Sequence, residues 1–398
     1  MKILFLTIAW PSYGEHNIYT DLMDEFVEHG HNVHVACSIE ARHDQKTALD
    51  KENNIQVLRI KTGNLTKTPF IEKGVANLLI GMQFEKAINQ HFGNIKFDLI
   101  IMSTPPVALS GVFKSLKHKY GAKTYLLLKD IWPQGIADLG IIRHNGLIFK
   151  YFSWQEKRLY DAADYIGCMS LANVKFLNKN YKFSPSKIIE ENPNSIKIRR
   201  KYSSSKDSVF EKYNIPKNRC IFIYGGNLGK PQGLSFFIKV LRQIDNPNAF
   251  FLIVGDGTEA YYVQSKLEKL KLENVRYMHQ LPKDDYEQLC DTADVGLLFL
   301  DGRYSIPNFP SRLLSYCESS IPILSCTDAN TDVGDIIKKY GCGIKTLHGN
   351  ENAFISAVNK LANDSELRKK MGKNAFKLLE EKYTTKCSYD IIMKHFRG

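Results

Sequence analysis

Tyr224-Gly225-Gly226-Asn227-Leu228-Gly229-Lys230-Pro231-Gln232-Gly233 decides the fold. Before it, Cys220-Ile221-Phe222-Ile223 is apolar without alternation, the pattern of a parallel strand buried on both faces. After it, Leu234 to Leu241 carries apolar residues at helical spacing. A strand, a turn with four glycines and a helix put a loop at a strand's carboxyl end and at a helix N-terminus. N–H groups there lack intrahelical partners and carry the positive end of the dipole, so the order predicts a phosphate site. Glycines let phosphate oxygens reach the main chain, and Lys230 adds a mobile charge. A plain strand-to-helix turn carries the same glycines, so the reading needs a second half.

That half is Tyr304-Ser305-Ile306-Pro307-Asn308-Phe309-Pro310-Ser311-Arg312-Leu313-Leu314-Ser315-Tyr316. Pro310 suits a first helical turn and Asn308 a cap, with the helix starting near Ser311. Arg312 would then lie against the dipole, which an anion between the two explains better than helix stability does. Two helix N-termini, each with a basic residue, predict a diphosphate held between them.

The length of 398 residues implies two domains. An apolar share of 43% and a charged share of 24% are those of a soluble globular chain, and no apolar run is long enough to span a membrane. The first residues, Met1 to Ile8, read as a strand, because no cleavage pattern follows in Trp10-Pro11-Ser12-Tyr13-Gly14. A cytoplasmic chain is the expectation. Eight cysteines show no metal spacing and sit in apolar runs, as core thiols do. The formal charge of +12 divides into +7 for residues 1–200 and +5 for the rest. It is diffuse and Lys-rich, without the basic-aromatic clustering of a nucleic-acid groove. Anionic small molecules or an anionic leaflet suit it, and so does a mere preference for surface lysine.

Along the chain, residues 2–8, a helix from Ile18 to His29 and Val33–Cys37 form a βαβ opening without a dinucleotide fingerprint. Gly14, in the intervening loop, serves either a ligand's approach or the turn alone. Further strands are expected at 55–60, 97–102, 123–128 and 165–169. The helix 70–91 is apolar at many positions, more in the manner of core than of lipid contact, although with its neighbour 113–120 it can also form an apolar, basic-rimmed face for a lipid. Asp130 ends the strand 123–128, where open sheets place ligands, and Trp132 before Pro133 shapes the loop that follows. The passage from Asn192-Pro193-Asn194 to Ser205 marks the domain boundary, dividing the chain into 1–195 and 206–385 with a last helix in 386–398 that packs back on the first domain. The second half repeats the alternation, with strands at 220–224, 249–254, 275–278, 295–300, 321–324 and 343–344. Gly255-Asp256-Gly257 and His279-Gln280-Leu281-Pro282 follow two of them on the edge that carries the glycine turn.

Two doubly wound domains with a phosphate turn in the second resemble the GT-B glycosyltransferases. Asp130-Ile131-Trp132-Pro133, Gly226-Asn227-Leu228-Gly229-Lys230, Val254-Gly255-Asp256-Gly257 and Pro307 to Tyr316 look like family 4 retaining transferases. Within these the likeness is to bacterial capsule and O-antigen enzymes of the N-acetylfucosamine-transferase type. It covers essentially the whole chain. It implies two Rossmann-like domains facing a central cleft, a UDP-sugar donor and a polyprenyl-diphosphate-linked saccharide acceptor. The enzyme would work, peripherally bound, at the inner membrane surface. Asn227 and Gln232 stand where the family has Arg and Lys, and Pro307 and Ser315 where it has two Glu. Phosphate contacts would pass to Lys230 and Arg312, and the ribose to Ser315 or a backbone group.

The implied site holds Asp130, Lys230 and Arg312 as catalytic residues. The donor would lie against Gly14, Gly226, Asn227, Leu228, Gly229, Asp256, Gly257, His279, Leu281, Asn308, Phe309, Pro310, Ser311 and Ser315. Glu15, His16 and Trp132 would meet the acceptor. No paired carboxylates accompany a strand end, so neither metal nor cofactor is expected, and the basic groups take the metal's part. His279 reads equally well as a strand-end residue with no ligand. A UDP-sugar 2-epimerase or a non-catalytic subunit supporting a partner enzyme are the competing readings, the second motivated by the missing Glu pair.

Overall fold

A computed structural model of the chain describes residues 1–8, 10–66, 68–199 and 206–397. Two units follow from it, Met1–Lys197 with Thr384–Gly398, and Ile198–Tyr383. The passage read as the boundary crosses from one to the other, and its residues 200–205 lie outside the described ones.

The first unit is built on β1 (Lys2–Thr7), β2 (Asn32–Glu40), β3 (Ala48–Glu52), β4 (Ile55–Thr62), β5 (Leu99–Ser103), β6 (Lys123–Leu128), β7 (Tyr165–Cys168) and β8 (Ile188–Glu191). They lie in one sheet in the order β3-β4-β2-β1-β5-β6-β7-β8, parallel except for the pair β3–β4. Ile3, Leu4, Phe5 and Leu6 are wholly buried, as a central strand covered on both faces requires. Helix Ile18–Glu28 starts at a capping box: Asn17 accepts from the N–H groups of Tyr19 (2.8 Å) and Thr20 (3.1 Å), and Thr20 Oγ1 accepts from the N–H of Asn17 (2.8 Å).

The last helix, Thr385–Met393, belongs to this unit. Thr385 Oγ1 donates to Glu25 (2.6 Å), and the Tyr389 ring stacks on His29 (4.0 Å). Asn192, in the passage read as loop, is buried; it accepts from Ser388 Oγ (2.7 Å) and donates to the Tyr125 hydroxyl (3.0 Å). Its neighbourhood is a clasp for the chain's end.

The second unit holds β9 (Cys220–Gly225), β10 (Ala249–Val254), β11 (Val275–Met278), β12 (Val295–Phe299), β13 (Ile323–Thr327) and β14 (Gly343–Leu347). The order β11-β10-β9-β12-β13-β14 is parallel throughout. β13 starts two residues later than the sequence reading placed it. Pro322 has no N–H to give, and its carbonyl accepts instead from Gly296 (2.9 Å). Phe222, Phe237, Phe251, Phe299 and Phe354 fill one side of the sheet. Chain order reverses between β9 and β12, and between β1 and β5 in the first unit. Crevices outside the carboxyl ends of strands open at such switch points, so the loops after β9 and β12 are where a ligand is sought.

Candidate functional site

The glycine turn after β9 binds its neighbour loop first. Gly226 N–H donates to Val254 O (3.0 Å), Leu228 N–H to Asp256 O (2.9 Å) and Gly229 N–H to Gln232 Oε1 (3.1 Å). A 3-10 turn, Lys230–Gln232, and Gly233 (φ +58°) then separate it from the helix Leu234–Leu241. This corrects the reading of free amides at a helix N-terminus, because three of those N–H groups are already satisfied within the protein. Gln232, standing where the family has Lys, closes the turn. The glycines of the next loop serve loop packing: a Cβ on Gly255 (φ +148°) would lie 1.9 Å from Gly226 O, and one on Gly257 2.3 Å from Leu228 O. Lys230 is exposed and has no ion-pair partner among the described residues.

Asp256 joins this loop to the one after β11. Its Oδ1 lies 2.9 Å from His279 Nδ1, and its Oδ2 accepts from the Gln280 N–H (2.9 Å). The His279 contact, with the Gln280 N–H behind it, holds the carboxyl below its ordinary range. The exposed His279 ring, held against Asp256, and the partly exposed Leu281 lie in the loop after β11 at the sheet's carboxyl edge.

The loop after β12 is strapped to the loop after β13. Asp328 accepts from the N–H groups of Asn330 (2.7 Å) and Thr331 (3.0 Å), Asn330 Nδ2 donates to Tyr304 O (2.5 Å), and Thr331 Oγ1 donates to Asn308 O. Asn308 therefore does not cap the helix Arg312–Glu318; Ser311 occupies that position, without a side-chain cap bond. Phe309 is buried against Tyr383, ring centres 6.0 Å apart, so it anchors the loop by packing. Pro310 is partly exposed, Ser311 exposed, and Ser315 partly buried one turn along from Arg312.

Arg312 brings the two quoted stretches together. Its guanidinium lies 4.2 Å from the centre of the Tyr224 ring, and its Nη2 would stand 3.6 Å from a Cβ on Gly226. Tyr316 and Tyr286 complete its surroundings. Nη1 is buried without a hydrogen bond, and no carboxylate among the described residues pairs with the group. Arg312 is partly buried, and its guanidinium sits at the sheet's switch point, where cationic side chains can meet an anionic ligand. The aromatic surround was not read from sequence, since tyrosines inside a strand and helices look like core. Tyr224 also donates its hydroxyl to Asn227 O (2.9 Å), tying the cradle of Arg312 to the glycine turn.

In the first unit the loops after β1 and β6 share the carboxyl edge. Gly14 (φ +83°) has nothing within 4 Å of a notional Cβ, so backbone conformation alone calls for glycine there. Glu15 accepts from the Ser12 N–H (3.3 Å), and His16 precedes the Asn17 cap. Thr104 Oγ1 accepts from the N–H groups of Lys129 (2.9 Å) and Asp130 (3.4 Å), while the Asp130 carboxylate is exposed with no hydrogen bond or ion pair to a described residue. Trp132 sets its ring edge-on to Phe152 (4.3 Å), and its backbone N–H donates to Glu156 (2.9 Å). Glu156 is buried, accepting also from Tyr160 (2.8 Å) and Tyr181 (2.6 Å), and burial pushes its carboxyl up to about 7. Thr104 and Glu156 thus hold the loop from two sides; neither was singled out in the sequence.

Residues 205–378 match the family described as glycosyl transferases group 1. Over 280 residues the chain is 21% identical to the probable glycosyltransferase WbjE of Pseudomonas aeruginosa, covering 70% of this chain and 68% of that protein. Over 254 residues it is 22% identical to the putative colanic acid biosynthesis glycosyl transferase WcaI of Escherichia coli K12, covering 62% and 61%. The structure of HepE from Anabaena in complex with UDP-glucose is similar with a TM-score of 0.71 at 15% identity, over 100% of this chain and 99% of that one. Fold and sheet edges define the class, a two-domain α/β protein of the GT-B type. The particular group follows from the match over the second unit: the chain is a glycosyltransferase, and that unit is its group 1 domain.

Proposed function

We propose that the chain transfers an N-acetylated hexosamine or deoxyhexosamine, such as N-acetylfucosamine, from a UDP-sugar to a polyprenyl-diphosphate-linked saccharide. Arg312 carries the reading: a partly buried guanidinium beside the glycine turn, its Nη1 buried without a hydrogen bond and with no carboxylate partner among the described residues, suits a donor diphosphate. Lys230, exposed and unpaired, reaches the same anion, and the Asp256–His279 rim offers a surface for uracil. The UDP-glucose in the HepE structure supports a UDP-sugar donor, and the colanic acid role in the name of WcaI supports a surface-polysaccharide product. The choice of sugar rests on the likeness of the Asp130–Pro133 and Pro307–Tyr316 blocks.

In the reaction the acceptor oxygen bonds to the sugar's anomeric carbon as the carbon–oxygen bond to UDP breaks. With retention both events share one face, and the departing phosphate takes the acceptor's proton. Arg312 and Lys230 stabilise the charge that develops on the diphosphate. Asp130, held by its backbone with a free carboxylate, orients donor or acceptor. The test is UDP release from a panel of UDP-sugars, with and without lipid-linked acceptor in detergent. Acceptor-dependent release with one N-acetylated sugar is expected; release without acceptor, or no UDP-sugar binding at all, overturns the reading.

A further inference from the structure

We propose that helices Phe70–Phe92, Ser110–Tyr120 and Leu147–Ala162 form the face by which the first unit docks on an anionic lipid surface; this rests on the reading that the acceptor is lipid-linked. The first helix is apolar on two sides. Ile80, Phe84 and Ile88 are buried, whereas Ile71, Val75, Leu78 and Met82 are exposed by 81%, 52%, 63% and 64%. Steps of four, three and four residues align those four in one stripe. Monomers rarely leave so continuous a stripe in water. Lys86 continues it toward the C-terminus.

The three helices lie side by side. Ser115 Oγ donates to Glu85 (2.6 Å), Ser110 Oγ to Gln155 (2.6 Å) and Lys117 Nζ to Ala162 O (3.0 Å). The middle helix exposes Lys114 and His118. Across a groove of about 210 Å³ from them, Arg158 lies 4.5 Å from the centre of the exposed Trp154 ring. Of the nearby acids, Asp164 is paired with Lys117 (2.8 Å), Glu85 is engaged by Ser115 and Glu72 by Asn64 (2.6 Å); Asp161 lines the groove. Over the three helices Lys73, Lys86, Lys114, Lys117, Lys119, Lys150, Lys157 and Arg158 outnumber Glu72, Glu85, Glu156 and Asp161, so the net charge is positive. An apolar stripe beside cations and an interfacial tryptophan matches a leaflet whose acyl region meets the stripe and whose phosphates meet Lys114, His118 and Arg158.

The test is co-sedimentation of the full chain with phosphatidylcholine vesicles, with and without phosphatidylglycerol, across a salt series. Binding should require phosphatidylglycerol and weaken with salt. The pair Leu78→Ser and Met82→Ser should weaken it about tenfold or more at unchanged melting temperature. Lys114→Glu should reduce the preference for phosphatidylglycerol. No sedimentation of the wild-type chain, or variants that sediment as it does, overturns the proposal. So does a dimer that the serine pair dissociates, which would give the stripe to a second copy. Acceptor-dependent UDP release in detergent separates the two failures: turnover without vesicle binding removes the docking face alone, and vesicle binding without turnover removes the transfer reading.

Discussion

Replacing Arg312 by methionine tests the donor site and the folding role of the residue at once. Methionine keeps most of the side chain's volume and removes the charge. The guanidinium has no carboxylate to orphan, and its buried Nη1 makes no bond that the substitution would break. Its evident favourable contact is with the Tyr224 ring at 4.2 Å, on the order of 1–2 kcal/mol for a desolvated pair. Against that stands the relief of a partly buried charge without a carboxylate partner among the described residues, of similar size. The melting temperature should therefore shift by no more than about 4 °C in either direction. Activity should behave differently. Losing a donor to a developing oxyanion costs about 3–4 kcal/mol, or roughly 100- to 1,000-fold in kcat. Arg312→Lys should fall between, since a point charge replaces the fork. The assay is UDP release beside a thermal melt of each variant with and without UDP. Loss of several kcal/mol of stability, or UDP stabilising the methionine variant as well as wild type, would refute the reasoning.

Lys230→Ala should lower kcat/KM at least about tenfold with an unchanged melt, because the amine is exposed and unpaired; equal kcat/KM removes it from the site. Gly255→Ala should unfold the loop pair and cost about 3 kcal/mol or more, since its Cβ meets Gly226 O at 1.9 Å, while Gly14→Ala, with open space around it, should cost about 1 kcal/mol in urea titrations. Chelator should leave turnover intact if basic side chains take the metal's part; activity lost to EDTA and restored by Mg²⁺ would contradict this. For Glu156, a folded value of about 7 against 4.5 makes the protonated form the favoured one. Its contribution to stability is full below about pH 4.5 and lost as pH rises through 7, roughly 3 kcal/mol in all, so wild type should melt progressively lower relative to Glu156→Gln between pH 5 and 8. Parallel pH profiles for the two would mean that the carboxyl titrates as an ordinary one.

What could be read along the chain was what adjacent residues decide. Strands such as Ile3–Leu6 and Ile221–Tyr224 are covered on both faces, so their apolar runs have no other reading. β3 escaped because Ala-Leu-Asp-Lys-Glu is an exposed antiparallel edge whose one large apolar residue, Leu49, is itself 41% exposed. The glycine turn and Arg312 were legible separately. Their pairing about one anion was legible too, but the packing that joins them was not, because it depends on the carbonyl of Val254, the side chain of Gln232 and three tyrosines far apart in sequence. The amides of the turn looked available only while those partners were unknown. Helix Phe70–Phe92 shows the same limit in another form. Periodicity finds a helix by the contrast between its faces, and here Ile71, Val75, Leu78 and Met82 oppose Ile80, Phe84 and Ile88 with apolar side chains on both. Hydrophobicity then reports the sum of two faces and cannot apportion it between a core and a surface. Burial can, and it leaves the outward stripe as the part of this helix that folding of the first unit does not account for.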